Sequence, residues 1–210
     1  MRNIKKSQKS PFIKGVDDFD DLHKTELREV LVREQFFLCC YCLNRIELDP
    51  EKTTIEHNKP QSIYPELCLD YKNLLASCNN RPKSGNKIKE NELHCDSSKG
   101  DLEISKNPAI HNVEGIIFYS ISCEIKSTDS EFDNQINKVL NLNSHKLISG
   151  RKAALDGLRK GLADRYPNSR PDKKQLLKEI TRLETPDSNG KLKPYCQIGI
   201  FYLKKRLKTQ

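Results

Sequence analysis

The sequence predicts an α+β fold in which an irregular central segment precedes a mainly helical C-terminal region. Residues 39–101 have poor hydrophobic periodicity and many turn residues. Residues 115–125 are rich in β-branched and aromatic side chains, as strands are. Beyond residue 140, leucine and isoleucine recur at helical spacing. A chain of 210 residues suits one domain, or one compact domain with an appendage.

The first region, 1–38, is predicted to be a polar arm followed by one helix. Asp20 and Asp21 are candidate N-caps, because their side chains can accept hydrogen bonds from the first helical N–H groups. Apolar residues then follow at mixed three- and four-residue spacings: Leu22, Leu27, Val30, Leu31 and Phe37. We therefore expect a helix that leads directly into the first cysteines.

Two further regions follow the central segment. Residues 106–130 are predicted to contain a strand or hairpin, and residues 131–210 to form a basic helical region. Ser144 and Asp172 are candidate N-caps of two helices, and a third helix is expected at the end of the chain. The three apolar faces are Leu147, Ile148, Leu155, Leu158 and Leu162; Leu176, Leu177, Ile180 and Leu183; and Ile198, Phe201, Tyr202 and Leu207.

The basic excess lies in the last third of the chain. Residues 1–140 hold 20 Lys and Arg against 23 Asp and Glu, a net charge of −3, whereas residues 141–210 hold 17 against 6, a net charge of +11. A cationic face of this kind attracts polyanions, of which nucleic acid is the commonest. A solubilising helical surface, or a docking face for an acidic protein, explains the charge equally well.

Within this basic region, one helix is expected to contact phosphates and another to contact a protein. The phosphate contacts are assigned to Arg151, Lys152, Arg159 and Lys160. The last helix, with Phe201 and Tyr202, is the candidate docking face. Arg81, Lys83, Lys87 and Lys89 form a further candidate phosphate-binding loop, for which the alternative is a surface loop without a partner.

Eight cysteines in a chain with only 35% hydrophobic residues indicate that something besides an apolar core stabilises the fold. They are either disulfides of an oxidising compartment or metal ligands of a reducing one. The basic residues 1–10 are not followed by the apolar stretch of a signal peptide, and no segment approaches the roughly 18 apolar residues of a membrane span. We therefore expect a cytoplasmic protein with reduced cysteines and no membrane association.

Four of the cysteines are candidate zinc ligands. Cys39 and Cys42 have the spacing at which two thiolates on a tight turn bind one Zn²⁺, and a closed structural site needs two more ligands. Cys78 and Cys95 are the candidates, although sixteen residues separate them and His94 competes for the fourth position. The remaining cysteines are expected to be ordinary buried small side chains: Cys40, Cys68, Cys123 and Cys196.

Three short patterns lie between and after these cysteines. They are Glu56-His57-x-x-Pro60, Asn73-Leu74-Leu75 leading to Cys78, and Cys95-Asp96-x-x-Lys99-Gly100. In this order they resemble the successive signatures of HNH nucleases. The resemblance implies a zinc-stabilised ββα-metal core over residues 39–105, in which two strands and a helix surround one catalytic cation.

The chemistry of phosphodiester hydrolysis suggests a role for each residue. His57 is the candidate general base, because an imidazole can take a proton from water at neutral pH. Glu56 and Asp96 would hold Mg²⁺ or Mn²⁺ through hard oxygen ligands, although the family more often has Asp at the first position and Asn or His at the second. Asn73 resembles the residue that ties the strand loop to the helix and so orients the base. The alternatives are a solvated loop for Glu56 and His57, and a cap or turn for Asn73.

A narrower resemblance extends over nearly the whole chain. The patterns above, with residues 140–143 and 195–207, are similar to the HNH subunit of Septu-type and retron-associated anti-phage defence systems. This implies an effector nuclease, with DNA as the favoured substrate, that is controlled by an ABC-type ATPase and sometimes accompanied by a reverse transcriptase with its RNA–DNA product. Two alternatives are a zinc-stabilised module that binds nucleic acid without cutting it, and an adaptor whose basic helices dock on the ATPase.

Overall fold

The computed structural model describes residues 1–7, 13, 15–81 and 92–209. The fold is α+β, as predicted, with two small antiparallel sheets and six α-helices among these residues. The elements in chain order are α1 (Lys24–Glu34), β1 (Thr53–His57), β2 (Leu74–Cys78), α2 (Asp96–Lys99), β3 (Ile117–Tyr119), β4 (Ile125–Ser127), α3 (Ser130–Lys138), α4 (His145–Arg165), α5 (Lys173–Glu184) and α6 (Cys196–Leu207).

The first sheet joins β1 and β2 and places chemistry-bearing side chains at both of its ends. Thr53 pairs with Cys78 at one end, and His57 pairs with Leu74 at the other. The single-turn helix α2 lies against this sheet, because the Thr54 hydroxyl donates to Asp96 Oδ2 at 3.1 Å and the backbone N–H of Asn80 donates to Ser97 Oγ at 3.3 Å.

The main apolar core connects the N-terminal arm, the first sheet and the helices that follow it. Leu27 and Leu31 of α1 and Leu74 and Leu75 of β2 are fully buried in it, and so is Met1 at 1% exposure. A second cluster lies between the last three helices and consists of Leu162, Leu176, Ile180, Leu183, Ile200 and Leu203. Because the main cluster also contains Leu147 and Ile198, the helical region packs directly on the central segment.

The three predicted C-terminal helices are present as α4, α5 and α6. Asp172 caps α5 through a capping box with Gln175, in which each side chain accepts a hydrogen bond from the other residue's backbone N–H. Ser144 occupies the N-cap position of α4, but its hydroxyl makes no capping hydrogen bond. The predicted strand or hairpin is the β3–β4 hairpin. No helix in the described ranges combines the length and the apolar composition that a bilayer crossing requires.

The predicted start of the first helix is wrong. Asp18 accepts a hydrogen bond from the backbone of Asp20 and caps a short 3-10 helix, Phe19–Asp21, and α1 begins only at Lys24. The two aspartates therefore occupy the first turn of that short helix and do not cap α1. Phe37 lies beyond α1, with a φ of 60°, where the chain turns towards the cysteines.

The expected phosphate contact by Arg151 is also wrong. Its side chain is 2% exposed, and its guanidinium donates to the backbone oxygen of Cys123 at 2.6 Å and to Asn143 Oδ1 at 3.0 Å. The residue thus joins α4 to the β3–β4 hairpin from inside the molecule. Periodicity could not reveal this, because the apolar face of α4 gives no sign that a cation is needed to satisfy a buried carbonyl.

Candidate zinc centre and adjoining histidine site

Three separate segments supply the four predicted zinc ligands. Cys39 and Cys42 lie on the tight turn after α1, where Leu43 adopts a φ of 63° and the backbone N–H of Asn44 donates to Cys42 Sγ at 3.4 Å. Cys78 is the last residue of β2, and Cys95 is the N-cap residue of α2. The first sheet and the first turn of α2 thus carry the second pair of sulfurs to the first.

The four sulfur atoms form a compact and buried group. All of them lie within 4.8 Å of one another, with 3.8 Å between the sulfurs of Cys39 and Cys95 and 3.8 Å between those of Cys42 and Cys78. Four sulfurs at about 2.3 Å from a tetrahedral Zn²⁺ would be separated by about 3.8 Å. The cluster can therefore bind a metal ion such as zinc, in the closed form of a structural site.

His94 lies beside this cluster and outside the compact set of four sulfurs. Its Nδ1 is 3.3 Å from Cys95 Sγ and 3.8 Å from Cys78 Sγ. An imidazole at these distances can donate a hydrogen bond to a thiolate and so stabilise its negative charge. The competition between His94 and a cysteine for the fourth position is resolved in favour of four sulfurs, because these are the ligand atoms brought together.

The close packing of these sulfurs changes the pKa of individual thiols. Burial by itself would raise the pKa of Cys39, but hydrogen bonds from the neighbouring cysteines lower that pKa well below its usual value. Burial and its cluster neighbours raise the pKa of Cys95. Cysteine binds metal as the thiolate, so a lowered pKa at Cys39 favours binding of a cation.

Of the other four cysteines, three are buried as expected: Cys40, Cys123 and Cys196. Cys68 is half-buried, and its backbone oxygen contacts the imidazole of His57. None of the eight cysteines forms a disulfide.

His57, the candidate base, lies at the end of β1. Its Nε2 is 3.0 Å from the backbone oxygen of Cys68, and the ring of Phe19 packs edge-on against the imidazole at a centroid distance of 4.5 Å. Burial lowers the pKa of His57, and the charge of Lys99 lowers it further, while the contact with Cys68 and the charge of Asp96 oppose the change. The ring is thus held in one orientation by two contacts.

Glu56 is buried beneath the site rather than exposed in a loop. Its carboxylate accepts a hydrogen bond from the Tyr41 hydroxyl at 2.8 Å and forms an ion pair with Lys99 at 3.0 Å. The side chains of Lys99 and Glu56 are only 1% and 4% exposed. Burial and a contact with Asp96 raise the pKa of Glu56 well above its usual value, against the opposing effect of Lys99.

Asp96, the second candidate ligand for a catalytic cation, is half-buried at the start of α2 and accepts the hydrogen bond from Thr54. Among the described residues, the four cysteines are the only equally compact group of three or more potential metal ligands. The carboxylates and His57 do not form a second such group, so the ligand geometry alone does not support a site for Mg²⁺ or Mn²⁺.

Asn73 stabilises the loop between β1 and β2. Its side-chain amide donates to the backbone oxygens of Lys59 at 3.0 Å and Leu67 at 3.1 Å, and its Oδ1 accepts from the N–H of Lys59 at 2.7 Å. Both partners lie within the loop, so Asn73 ties this loop to itself, whereas the resemblance implied a link to the helix. Since Leu67 precedes Cys68, the same bonds position the carbonyl that contacts His57.

Sequence reasoning did not assign a role to Lys99 or to Tyr41. Lys99 donates to the backbone oxygen of His57 at 3.0 Å in addition to its ion pair with Glu56, so one buried cation connects α2 to the end of β1. Two features of the sequence could have indicated these roles. Lys99 belongs to the Lys-Gly pair that ends the third pattern, and Tyr41 lies between two candidate zinc ligands. The candidate phosphate-binding residues Lys83, Lys87 and Lys89 lie outside the described residues.

Comparison with known proteins adds no assignment to this geometry. Neither a scan against protein-family models nor a search of curated proteins gives a match.

Proposed function

We propose that this chain is a metal-dependent HNH-type nuclease that hydrolyses phosphodiester bonds in nucleic acid, with DNA as the favoured substrate. The observation that carries the proposal is the fixed imidazole of His57, held by the Cys68 carbonyl beside Glu56 and Asp96. The order of the patterns along the sequence supports the family hypothesis. The contacts of these side chains support the proposed roles in hydrolysis.

The contact with Cys68 selects one nitrogen of His57 as the base. A carbonyl oxygen only accepts hydrogen bonds, so Nε2 carries the proton in the neutral ring. Nδ1 then has the free lone pair that can take a proton from an attacking water. The edge-on ring of Phe19 limits rotation of the imidazole, which keeps this nitrogen in one direction.

The two acidic residues fit a hard cation in part. Glu56 and Asp96 are in contact with each other, and two touching carboxyl groups need a shared proton or a cation between them. Asp96, which is half-buried, is the better candidate ligand for Mg²⁺ or Mn²⁺, with Glu56 beside it. A bound cation would supply charge stabilisation for the phosphoryl oxygens and the departing 3′-oxygen.

Lys99 and Asn73 act as positioning residues in this scheme. Lys99 holds the backbone of His57 and the carboxylate of Glu56 together, and Asn73 fixes the loop that presents the Cys68 carbonyl. Neither side chain needs to touch the substrate. A small displacement of a general base lowers the rate strongly, so both residues matter for the chemistry.

A second candidate function is a zinc-stabilised module that binds nucleic acid without cutting it. The observation that favours it is the burial of Glu56, whose carboxylate is already engaged by Tyr41 and Lys99. A carboxylate with two protein partners in a closed site is less available to a cation than one that faces solvent. The two functions differ in whether cleavage occurs at all.

The test compares His57→Ala with the unmodified chain and with His145→Ala, a matched control at an exposed histidine. Each protein is incubated with plasmid DNA or total RNA in Mg²⁺ or Mn²⁺. The incubations are done without and with an ABC-type ATPase encoded by an adjacent gene. Loss of the base should slow cleavage by about 10² to 10⁴-fold at unchanged zinc content, and the control should cut normally. Full cleavage by His57→Ala would refute the assignment of the base. Binding without cleavage by the unmodified chain under every condition would favour the second function.

As part of this proposal, the chain is an effector of an anti-phage defence complex restrained by that ATPase. The exposed partner surface is best probed by substitution, because truncation before α6 would remove buried core residues such as Ile198, Ile200 and Leu203. Ile121 at the tip of the β3–β4 hairpin is fully exposed and lies at a cleft with Phe201 and Tyr202. Ile121→Asp should weaken co-purification of the ATPase while leaving zinc content unchanged.

A further inference from the structure

A second concave surface lies away from the residues assigned to chemistry. It is a groove of about 930 Å³ formed by the end of α4, by α5, by the 185–194 segment and by the turn that carries Arg45. Glu56, His57, Asn73 and Asp96 are not among its lining residues. The groove thus belongs to neither the zinc centre nor the histidine site.

The lining of this groove is strongly cationic. Its basic side chains are Arg45, Arg165, Lys178, Arg182, Lys191 and Lys193. Only two acidic side chains accompany these six cations, so the groove has a net charge of +4. The cations come from segments that are far apart in the sequence, and it is the fold that makes them converge.

Both acidic side chains of the groove are occupied within the protein. Glu179 is 3% exposed and accepts two hydrogen bonds from Arg165, at 2.7 and 2.8 Å. Asp187 accepts from the backbone N–H groups of Asn189 and Lys191, at 2.9 Å each. Glu179 is thus engaged by Arg165, and the charge of Asp187 acts on Arg45 and Lys191. Among the described residues, no ion pair joins either carboxylate to Lys178, Arg182 or Lys193.

Three of those cations, Lys178, Arg182 and Lys193, are exposed, and within the described ranges no ion pair is found for them. Arg45 donates to backbone oxygens, including that of Leu192 at 2.5 Å, and the negative charge of Asp187 partly offsets its positive charge. Lys191 lies over the ring of Phe37, at 4.9 Å from its centroid. The groove therefore holds three cations, Lys178, Arg182 and Lys193, that no ion pair offsets among the described residues.

We infer that this groove binds the phosphate backbone of nucleic acid. The inference rests on the proposed function for the identity of the polyanion, and it adds a binding surface separate from the residues assigned to chemistry. Half of the cations are lysines, which are depleted in protein–protein interfaces but serve as point charges for phosphates. A protein partner would need exposed aromatic or aliphatic anchors. The groove offers only the half-buried Tyr166, Pro186 and Pro194, whereas the cleft at Ile121 has a fully exposed isoleucine.

This surface is separate from the phosphate contacts that the sequence assigned to α4. Arg151 is buried, and Arg159 pairs with Asp156 and stacks on Tyr202. Two of the four residues are thus engaged elsewhere. Lys152 and Lys160 remain exposed on α4 but do not line the groove, in which Lys178, Arg182 and Lys193 lie together.

The experiment measures binding of a short fluorescein-labelled single-stranded DNA of mixed sequence over a series of KCl concentrations, without added Mg²⁺ or Mn²⁺. The full chain is compared with a triple variant, Lys178→Gln, Arg182→Gln and Lys193→Gln. The matched control removes the same charge from exposed lysines outside the groove, through Lys5→Gln, Lys126→Gln and Lys138→Gln. Zinc content and circular dichroism verify that both variants fold.

The groove variant should flatten the slope of log affinity against log salt by about 0.7 for each phosphate that the protein no longer neutralises. If all three cations bind phosphates, their removal corresponds to about 100-fold weaker binding at roughly 0.1 M salt, provided that the salt-independent part of the affinity is unchanged. The control should bind like the unmodified chain. Equal weakening in both variants, or none in either, would overturn the inference.

Two further outcomes separate this inference from the proposed nuclease and from a protein partner. Because binding is measured without the catalytic cation, a chain that never cuts can still support the groove. A groove variant that binds and cuts DNA normally refutes the groove and leaves the nuclease intact. If the variant no longer binds polyglutamate but still binds DNA, the groove serves an acidic protein instead.

Discussion

The central segment and the C-terminal helices are stabilised in different ways. In the segment from Cys39 to Gly100, the buried residues include many polar groups: Thr53, Glu56, Asn58, Asn73, Ser77, His94 and Lys99. Between α4, α5 and α6 the six buried cluster residues are aliphatic, and the buried polar residues of these longer helices are fewer: Arg151, Glu179 and Gln197. The central segment therefore depends on specific pairings and on the sulfur cluster, whereas the helices depend on the area of apolar surface they bury.

This difference indicates what each part of the molecule does. A polar interior is costly unless every partner is in place, and such interiors hold functional groups in fixed positions. An aliphatic interior imposes fewer geometric demands and suits a region whose role is to carry surface charge. The central segment is thus expected to fail when one partner is removed, and the helices to lose stability gradually.

The largest expected effect is loss of the metal centre. Cys42→Ser removes one of four sulfurs, and because the binding energy of a structural zinc site is folding energy, about 10 kcal/mol or more is at stake. Amide hydrogen exchange should become fast from Cys39 to Gly100, while amides in α5 and α6 keep more protection.

The matched control is Cys40→Ser, since Cys40 is buried next to the ligands but is not one of them. It should retain about one zinc per chain by elemental analysis. A metal-free chain with native exchange rates throughout would contradict the role given to the cluster.

A smaller effect is expected from breaking the buried ion pair. Lys99→Met leaves the Glu56 carboxylate without its cation in a closed environment, and such changes cost about 3 to 5 kcal/mol. Urea unfolding should show this decrease in stability, and adding Glu56→Gln should recover most of it because no buried charge then remains. If the double variant is as unstable as the single one, the pairing is not the cause.

A substitution in the helical region should lower the free energy of unfolding by a similar or smaller amount. Leu176 is fully buried between α5 and α6, and Leu176→Ala should lower the free energy of unfolding by about 2 to 5 kcal/mol. Zinc content should not change, because no ligand lies in this cluster. Leu177→Ala is the control, since Leu177 is 49% exposed and its truncation should cost little. Release of zinc from the Leu176 variant would show that the two regions fold as one unit.

The sequence by itself predicted the three C-terminal helices, α4, α5 and α6, and the four sulfurs that come together. Periodicity and the cap at Asp172 predicted α5 well, because a helix depends on residues three and four positions apart. The set of Cys39, Cys42, Cys78 and Cys95 was predicted from the four ligands of a structural zinc site and from the family resemblance of the residues between them, with His94 left open for the fourth position. The start of α1 was wrong because the aspartates belong to a separate short 3-10 helix, and the N-cap residue of α1, His23, makes no side-chain capping bond that the sequence could signal.

Only the tertiary structure decided the contacts on which the candidate chemistry depends. The Cys68 carbonyl on His57, the buried pair of Lys99 and Glu56, and the burial of Arg151 all join residues distant in sequence. The cationic groove likewise brings Arg45 to Lys193. Such contacts arise from how elements pack, and a long charged side chain has the same sequence signature whether it faces solvent or satisfies a carbonyl inside the protein.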